Sequence, residues 1–342
     1  MDTKYDILKK LCEINSISGN EKEAREFIIK EISNKVDDYK IDNLGNIIAY
    51  KKGKRGAKKK LMLSAHMDEV GMIVTHVTSN GYLGFTTVGG IDERILCGIH
   101  VFIGNNRIPG VIGIKPIHLC SSDEKNKAIS IDKLYIDIGA KDKEDALKYV
   151  NLGDYVCFDS KFELSGNKII AKSLDDKVGC CILIDMLSEE LEYDTYFAFL
   201  VQEEVGLRGA KTATYDINPD AAIVVECTTA NDIAGVDEEN EVCKLGAGAV
   251  ISFMDRSTIY DKEYYNLALS KAKQNGINIQ IKQAVAGGND SGAIHTSREG
   301  VRTIAVSVPC RCLHSPHGMI DKEDYESVKS MAKLLLKEIQ EA

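Results

Sequence analysis

The chain has 342 residues, with 43 Lys and Arg against 52 Asp and Glu and a formal net charge of −9. That acidic balance argues against a general binder of nucleic acid or anionic membranes, and 44% hydrophobic residues exclude a disordered chain. Ten cysteines with no C-x-x-C pair do not make a disulfide scaffold, and they predict reduced thiols in a cytoplasm. At about 150 residues per domain, the length suggests roughly two domains. The opening MDTKYDILKK lacks the apolar core of a secretory leader. No apolar run approaches the roughly 18–20 residues that span a bilayer. The longest, around Cys180–Leu187, is broken by Asp185.

In chain order, Ile7, Leu8, Leu11 and Ile14 fall at helical spacing, and Ser18-Gly19-Asn20 interrupts them. Asn20 is placed to cap a second helix, with Glu23 three residues on and Ala24, Phe27, Ile28 and Ile32 along one face. Strand-like runs follow at Asn46–Tyr50 and Leu61–Ala65, and the basic stretch KKGKRGAKKK between them is expected to be a solvated hairpin tip. From about Gly71 to Phe162, short β-branched runs alternate with Gly, Asn and Pro: Ile73–Val77, Val101–Ile103, Val111–Ile114, Leu134–Ile138 and Tyr155–Phe158. Beyond Asn167 the texture is again α/β. Helices are predicted at Val178–Leu187, Asp261–Gln274 and Tyr325–Ile339, and strands at Thr195–Val201, Ala221–Val225 and Thr303–Val308. One α/β domain interrupted by an all-β insertion explains the order most simply, and two domains in series fit the pattern as well.

Polar residues that directly follow buried-type strands stand out in five places. His66 and Asp68 share a strand face in LMLSAHMDE, as two metal ligands, as a ligand and its orienting carboxylate, or as a strand end meeting water. Asp175-Asp176 precedes a helix, where paired acids also serve as an ordinary cap. Glu203-Glu204 ends the run from Thr195, so one carboxylate can bind a cation while its neighbour faces a water, although adjacent acids are also common on surfaces. Glu226 closes the fourth run, and His314 lies in LHSPH after the fifth. Imidazole and carboxylate groups at separate strand ends make a Zn, Co or Mn kind of ligand set. They also lie where open α/β sheets place their sites. His76, His100 and His118 have no acidic company at a strand end and read as structural.

The segments HMDEVG, LDDKVG, QEEVGLRGA, ECTTAND and CLHSPH, in this order, resemble the di-metal aminopeptidase family. That family includes glutamyl aminopeptidase, the tetrahedral aminopeptidases and proteins formerly labelled cellulase M. The likeness covers nearly the whole chain, including VGGID, IKPIHL and YIDIGA in the β region and AGGNDSGAIH late on. It implies a three-layer α/β/α peptidase domain, residues 1–70 and 164–342, with an inserted small β-barrel-like dimerisation domain at 71–163. It also implies two divalent metal ions per subunit, Zn or Co and secondarily Mn.

Carried over by position, His66 would ligate one metal with Asp68 behind it. Asp175 would bridge both metals and be joined to Asp176 through a cis peptide. Glu203 would be the general base and Glu204 a ligand of one metal. Glu226 would serve the other, and His314 would complete the set with Glu204. Glu226 stands where Asp is frequent, Lys177 where Arg is, Cys312 where Tyr is and Asn289 where Thr is. Cys310-x-Cys312 lacks the four-ligand company of a structural metal site. Arg311 suits either an acidic substrate or a structural role.

The expected activity is removal of N-terminal residues from short peptides in a cytoplasmic homo-oligomer, a dodecamer built from dimers, without nucleic-acid or membrane partners. Three alternatives are a non-hydrolytic metal-binding scaffold, a metal-dependent deacylase and a glucanase.

Overall fold

A computed structural model describes residues 3–342. Strands β1 (Asp38–Ile41), β2 (Ile47–Lys51) and β3 (Leu61–His66) follow helices α1 (Asp6–Glu13) and α2 (Lys22–Ile32). Next come β4 (Gly71–Val77), β5 (Leu83–Val88), β6 (His100–Ile103), β7 (Ile108–Gly113), β8 (Tyr135–Asp137) and β9 (Tyr155–Phe158). Short helices α3 (Ser122–Lys125) and α4 (Lys143–Ala146) fall among them. The chain continues through β10 (Glu163–Ser165), β11 (Lys168–Ala171), α5 (Leu174–Leu187), β12 (Thr195–Leu200), α6 (Arg208–Ile217) and β13 (Ala221–Thr229). It ends with β14 (Ala249–Ile251), α7 (Lys262–Asn275), β15 (Ile279–Ile281), α8 (Ser291–Ile294), β16 (Arg302–Cys310), β17 (Gly318–Asp321) and α9 (Lys322–Glu341).

Eight strands form one sheet in the order β1-β2-β12-β3-β13-β16-β14-β15. Its four central strands, β12, β3, β13 and β16, run parallel. Side chains alternate across the sheet. Leu61, Leu63, Phe197, Phe199, Ile223 and Val225 pack against α1, α2, α5, α7 and α9. Met62, Ala198, Leu200 and Val224 pack against α6 and α8. The result is the three-layer α/β/α arrangement.

Strands β4 to β9 close into a six-stranded barrel with its own core of Met72, Val74, Phe85, Val101, Ile112, Ile136 and Val156. Strand β5 escaped the sequence reading because LGFTTV is short and bracketed by glycines. His76, His100 and His118 are exposed in this region and hold none of its core.

Two local expectations are corrected. Asn20 does not cap α2; the cap position is Glu21, and no side chain bonds the helix end. Glu21 instead accepts the Gly19 amide at 2.6 Å. Residues 51–60 are not a hairpin tip either, because β12 lies between β2 and β3 and the segment must cross it. Three of its lysines reach helix C-termini, where unpaired carbonyls and the helix dipole favour cations. Lys51 Nζ donates to Leu187 O of α5 at 2.6 Å, Lys59 to Ile339 O of α9 at 2.8 Å and Lys60 to Ile217 O of α6 at 2.7 Å.

A buried ion pair fastens the N-terminal segment to the loop after β3. Lys172 Nζ lies 2.7 Å from Glu69 Oε2 and donates to Ile14 O, while Glu69 Oε1 accepts the Ser16 amide at 2.8 Å. Both partners are about 3% exposed. Replacing one would leave the other charged and dry, a loss of about 3–5 kcal/mol. Lys172→Met should therefore lower stability by that order in chemical denaturation, and a change below about 1 kcal/mol would show the pair to be dispensable.

Candidate active site

The parallel strands bring the expected residues together because their carboxyl ends share one edge. Leu200 pairs with His66 and Val224 with Ser64, so His66 and Glu226 fall level on β3 and β13. Both have the strand parity of Met62 and Val224, facing the layer of α6 and α8. Gln202, just past β12, turns the chain with φ of +54°. The following residues, Glu203 and Glu204, then enter the same space.

Asp175 lies at the centre. Its Oδ1 is 3.3 Å from His66 Nε2 and its Oδ2 is 3.4 Å from His314 Nε2, so one carboxylate addresses two imidazoles through opposite oxygens. Glu204 Oε1 is 3.3 Å from His314 Nε2 and is buried without a hydrogen-bond partner. One donor atom each from His66, Asp175 and Glu204 lies within 4.8 Å of the others. Both imidazoles have their other nitrogen occupied: His314 Nδ1 is 2.8 Å from Gly90 O, and His66 Nδ1 is 3.2 Å from Asp68 O. A donated Nδ1 proton leaves Nε2 as the free lone pair, the arrangement a metal-binding histidine requires.

The supporting groups are equally specific. Asp68, fully buried, accepts the backbone amides of Glu203 at 3.0 Å and Glu204 at 3.2 Å, and the Ser18 hydroxyl at 2.6 Å. It thus orients the two acids and lies behind His66. The Asp175–Asp176 peptide is cis. Asp176 has both oxygens on backbone amides, His66 at 3.2 Å and Gly179 at 2.9 Å, so it ties β3 to α5 and caps the regular part of that helix. Gly179 is required beside it, because a Cβ there would lie 2.5 Å from Val225 O. A second grouping of Asp175, Asp176 and Cys227 is a poorer cation site, since Asp176 is already engaged and Cys227 donates to Leu174 O.

His66, Asp175, Glu203, Glu204 and His314 border a cavity of about 460 Å³ that Glu226, Thr228, Thr229, Leu207, Lys282, Gly287 and Gly288 also line. Glu226 shares the cavity but lies outside the tight three-residue group. Arg311 is not available to a substrate, because it grips Asp232 with two bonds of 2.9 and 2.7 Å. Cys310 is buried and Cys312 exposed, so the pair does not form one chelating face. Lys282, Asn289 and Asp290 join the site; of these only Asn289 stood out in the sequence, as a departure from the family's pattern.

The electrostatics report crowded negative charge. Burial pushes the carboxyls of Glu203, Glu204 and Glu226 above their ordinary range, and neighbouring carboxylates add to the effect. Burial and nearby acids likewise hold Asp290 at about 7. Burial opposes the charged imidazoles, yet Asp175 and Asp68 outweigh it at His66, and Asp175 and Glu204 raise His314 to about 11. Bound cations would relieve both effects. The donor set of imidazole nitrogen and carboxylate oxygen fits Zn, Co or Mn.

The M42 glutamyl aminopeptidase model matches residues 45–331. The chain belongs to that family. It is 41% identical to a putative aminopeptidase of Acetivibrio thermocellus over 98% of both chains. A TET aminopeptidase structure from a marine sediment Thaumarchaeota archaeon superposes with a TM-score of 0.94 at 31% identity, covering 98% of this chain and 96% of that one. The TET1 peptidase of Pyrococcus horikoshii, described as assembling into a tetrahedron or a large octahedral shell, gives 0.84 at 37% identity over 97% and 98%. This member of the family is a peptidase.

The raised groups fix the sign of a pH effect on metal-free protein. His66 and His314 contribute stability fully below about 6.5 and lose it as pH rises, towards about 11 for His314. Raised Glu203, Glu204 and Glu226 favour the protonated fold, so they too lose stability as pH climbs above about 4.3. Asp68 and Asp175, both lowered, lose their contribution only in acid. The Tm of chelator-treated protein should therefore fall from pH 6 to pH 9, and saturating Zn²⁺ should raise it most at the alkaline end. A Tm that holds or climbs without metal would contradict this account.

Proposed function

We propose that the chain is a two-metal aminopeptidase that removes N-terminal residues from short peptides. The observation that carries the proposal is the central Asp175, with one oxygen toward His66 Nε2 and the other toward His314 Nε2 at 3.3 and 3.4 Å. His66, Asp175, Glu204, Glu226 and His314 would hold two divalent ions, Zn or Co, with Mn also accepted. When bound, the ions supply Lewis acidity that lowers the pKa of water and polarises a carbonyl.

Glu203 acts as the base. It lines the cavity beside the ligand groups, where it takes a proton from the attacking water and delivers it to the leaving amine, and burial pushes its carboxyl up. Asp68 fixes its backbone, and the surrounding acids attract the free α-amino group of the substrate. A blocked N-terminus loses that attraction.

The substrate side chain enters the 460 Å³ cavity, whose only lysine or arginine among the described lining residues is Lys282. Lys282 is 7% exposed and donates to Ala286 O at 2.7 Å. With the carboxylates engaged by cations, its charge favours an acidic N-terminal residue. Glutamyl or aspartyl peptides should outpace lysyl ones by at least about tenfold in kcat/KM, one such factor being 1.36 kcal/mol. Lys282→Met should erase the difference; faster lysyl cleavage by the parent protein would refute the assignment.

We further assign residues 71–163 to dimerisation within a larger shell. Exposed Val111, Ile117, Leu119, Tyr149 and Leu152 in this region support that role. All ten cysteines are free, which suits a reducing cytoplasm. Among the described residues no helix is long and apolar enough to cross a membrane.

Free and acetylated peptides, assayed before and after chelation with metal restored, test the function. Glu203→Gln should reduce kcat by about 10²–10⁴-fold with metal content unchanged. Cleavage of acetylated forms would indicate a deacylase, and chelator-resistant glucan cleavage a glycosidase. Bound metal without hydrolysis would leave a scaffold.

A further inference from the structure

Glu226 is held by a polar network whose direction the structure fixes. Asn289, 3% exposed, accepts the Ser291 amide on Oδ1 at 2.8 Å. That bond settles the amide orientation, so Nδ2 must face the other way, toward Glu226 Oε1 at 2.5 Å and Tyr260 OH at 2.8 Å. Its two hydrogens are thereby used, and Asp255 Oδ2 at 3.4 Å is a weaker third contact. Tyr260 donates its own proton to Asp255 Oδ2 at 2.5 Å, which leaves its oxygen lone pairs for Asn289. Asp255 is anchored in turn by the Ser257 and Thr258 amides at 2.7 and 2.8 Å and the Ser257 hydroxyl at 2.9 Å.

Among the described residues, both hydrogen bonds accepted by the Glu226 side chain fall on Oε1: Asn289 and, at 3.5 Å, Ser307. Oε2 is thus left for another partner in the cavity. Glutamate has one more rotatable bond than aspartate, so a buried glutamate meant to present a single oxygen needs something to stop that bond turning. An unbroken chain from a backbone-anchored carboxylate through a phenol and an amide provides it.

We propose that Asn289 is a positioning residue that makes Glu226 a one-oxygen metal ligand, and so sets the affinity of one of the two metal positions. The proposal rests on the two-metal reading of the site. Asn289 does not touch the reacting atoms; it acts through Glu226, with Tyr260 and Asp255 holding it in place.

The test is metal uptake, read independently of turnover. Stripped protein is titrated with Co²⁺ against a chromogenic chelator, and the visible Co²⁺ spectrum is recorded in parallel. Wild type should take two ions. Asn289→Leu should weaken one of them by about 10–100-fold, alter the spectrum of that site alone and leave the other affinity unchanged. Asn289→Thr, which keeps a donor hydroxyl, should recover part of the loss. If Asn289→Leu does not fold, Tyr260→Phe, which deprives the amide of its second anchor, should weaken the same position by several-fold.

Unchanged affinity and spectrum in the folded variant, with two ions still bound by wild type, would overturn the role of Asn289 and leave the two-metal site standing. Wild type that binds fewer than two ions would remove the two-metal reading, and this inference with it.

Discussion

Uncompensated negative charge governs the architecture of this protein. Six carboxylates, from Asp68, Asp175, Glu203, Glu204, Glu226 and Asp290, share one largely buried space. Among the described residues, hydrogen-bond donors, two imidazoles and Lys282 offset them. Such crowding is costly in a low-dielectric interior unless each oxygen is assigned a partner. Asp68 and Asp176 have theirs in backbone amides, so their oxygens are satisfied within the chain. Glu204 Oε1 has none. The difference sorts the acids into those that build the site and those left open to a cation, on hydrogen bonding alone.

The parallel sheet makes that crowding geometrically possible. Parallel strands end on the same side, so acids and histidines separated by more than 100 residues in the chain arrive at one edge through register alone. His66, Glu203, Glu204 and His314 sit at or just beyond such ends, and Glu226 lies within β13 level with His66. Asp175 comes from the start of α5, on the opposite flank, and meets them there. Asp68 then couples the loop after β3 to the loop after β12, and Ser18 links both to the N-terminal segment. A disturbance in any of these loops therefore reaches the base and a ligand together.

Much of this was legible in the sequence because the central strands are buried on both faces and read as uninterrupted apolar runs. Thr195–Val201, Ala221–Val225 and Thr303–Val308 could be placed, and the polar residues ending them became candidates. Strand order was not legible, since nothing in KKGKRGAKKK says that a third strand separates its neighbours. Its lysines read as a solvated run because the helix carbonyls that three of them bond belong to α5, α6 and α9, distant in the chain. The same limit applies to Arg311. In sequence it suited either an acidic substrate or a structural role, and in the folded chain Asp232 holds it. Asn289 could be noticed as a departure from pattern, but its bond to Glu226 exists only after folding.

The barrel is more than an appendage to this site. Gly90, in the loop after β5, supplies the carbonyl that engages His314 Nδ1 at 2.8 Å. That carbonyl selects the tautomer with its lone pair on Nε2, and an imidazole turned the other way would offer a proton where a cation should bind. A segment of the barrel region thus sets the chemistry of a residue in the α/β domain. The Ser160 hydroxyl, at the end of the same region, adds a second tie to the His314 loop by donating to Pro316 O at 2.5 Å.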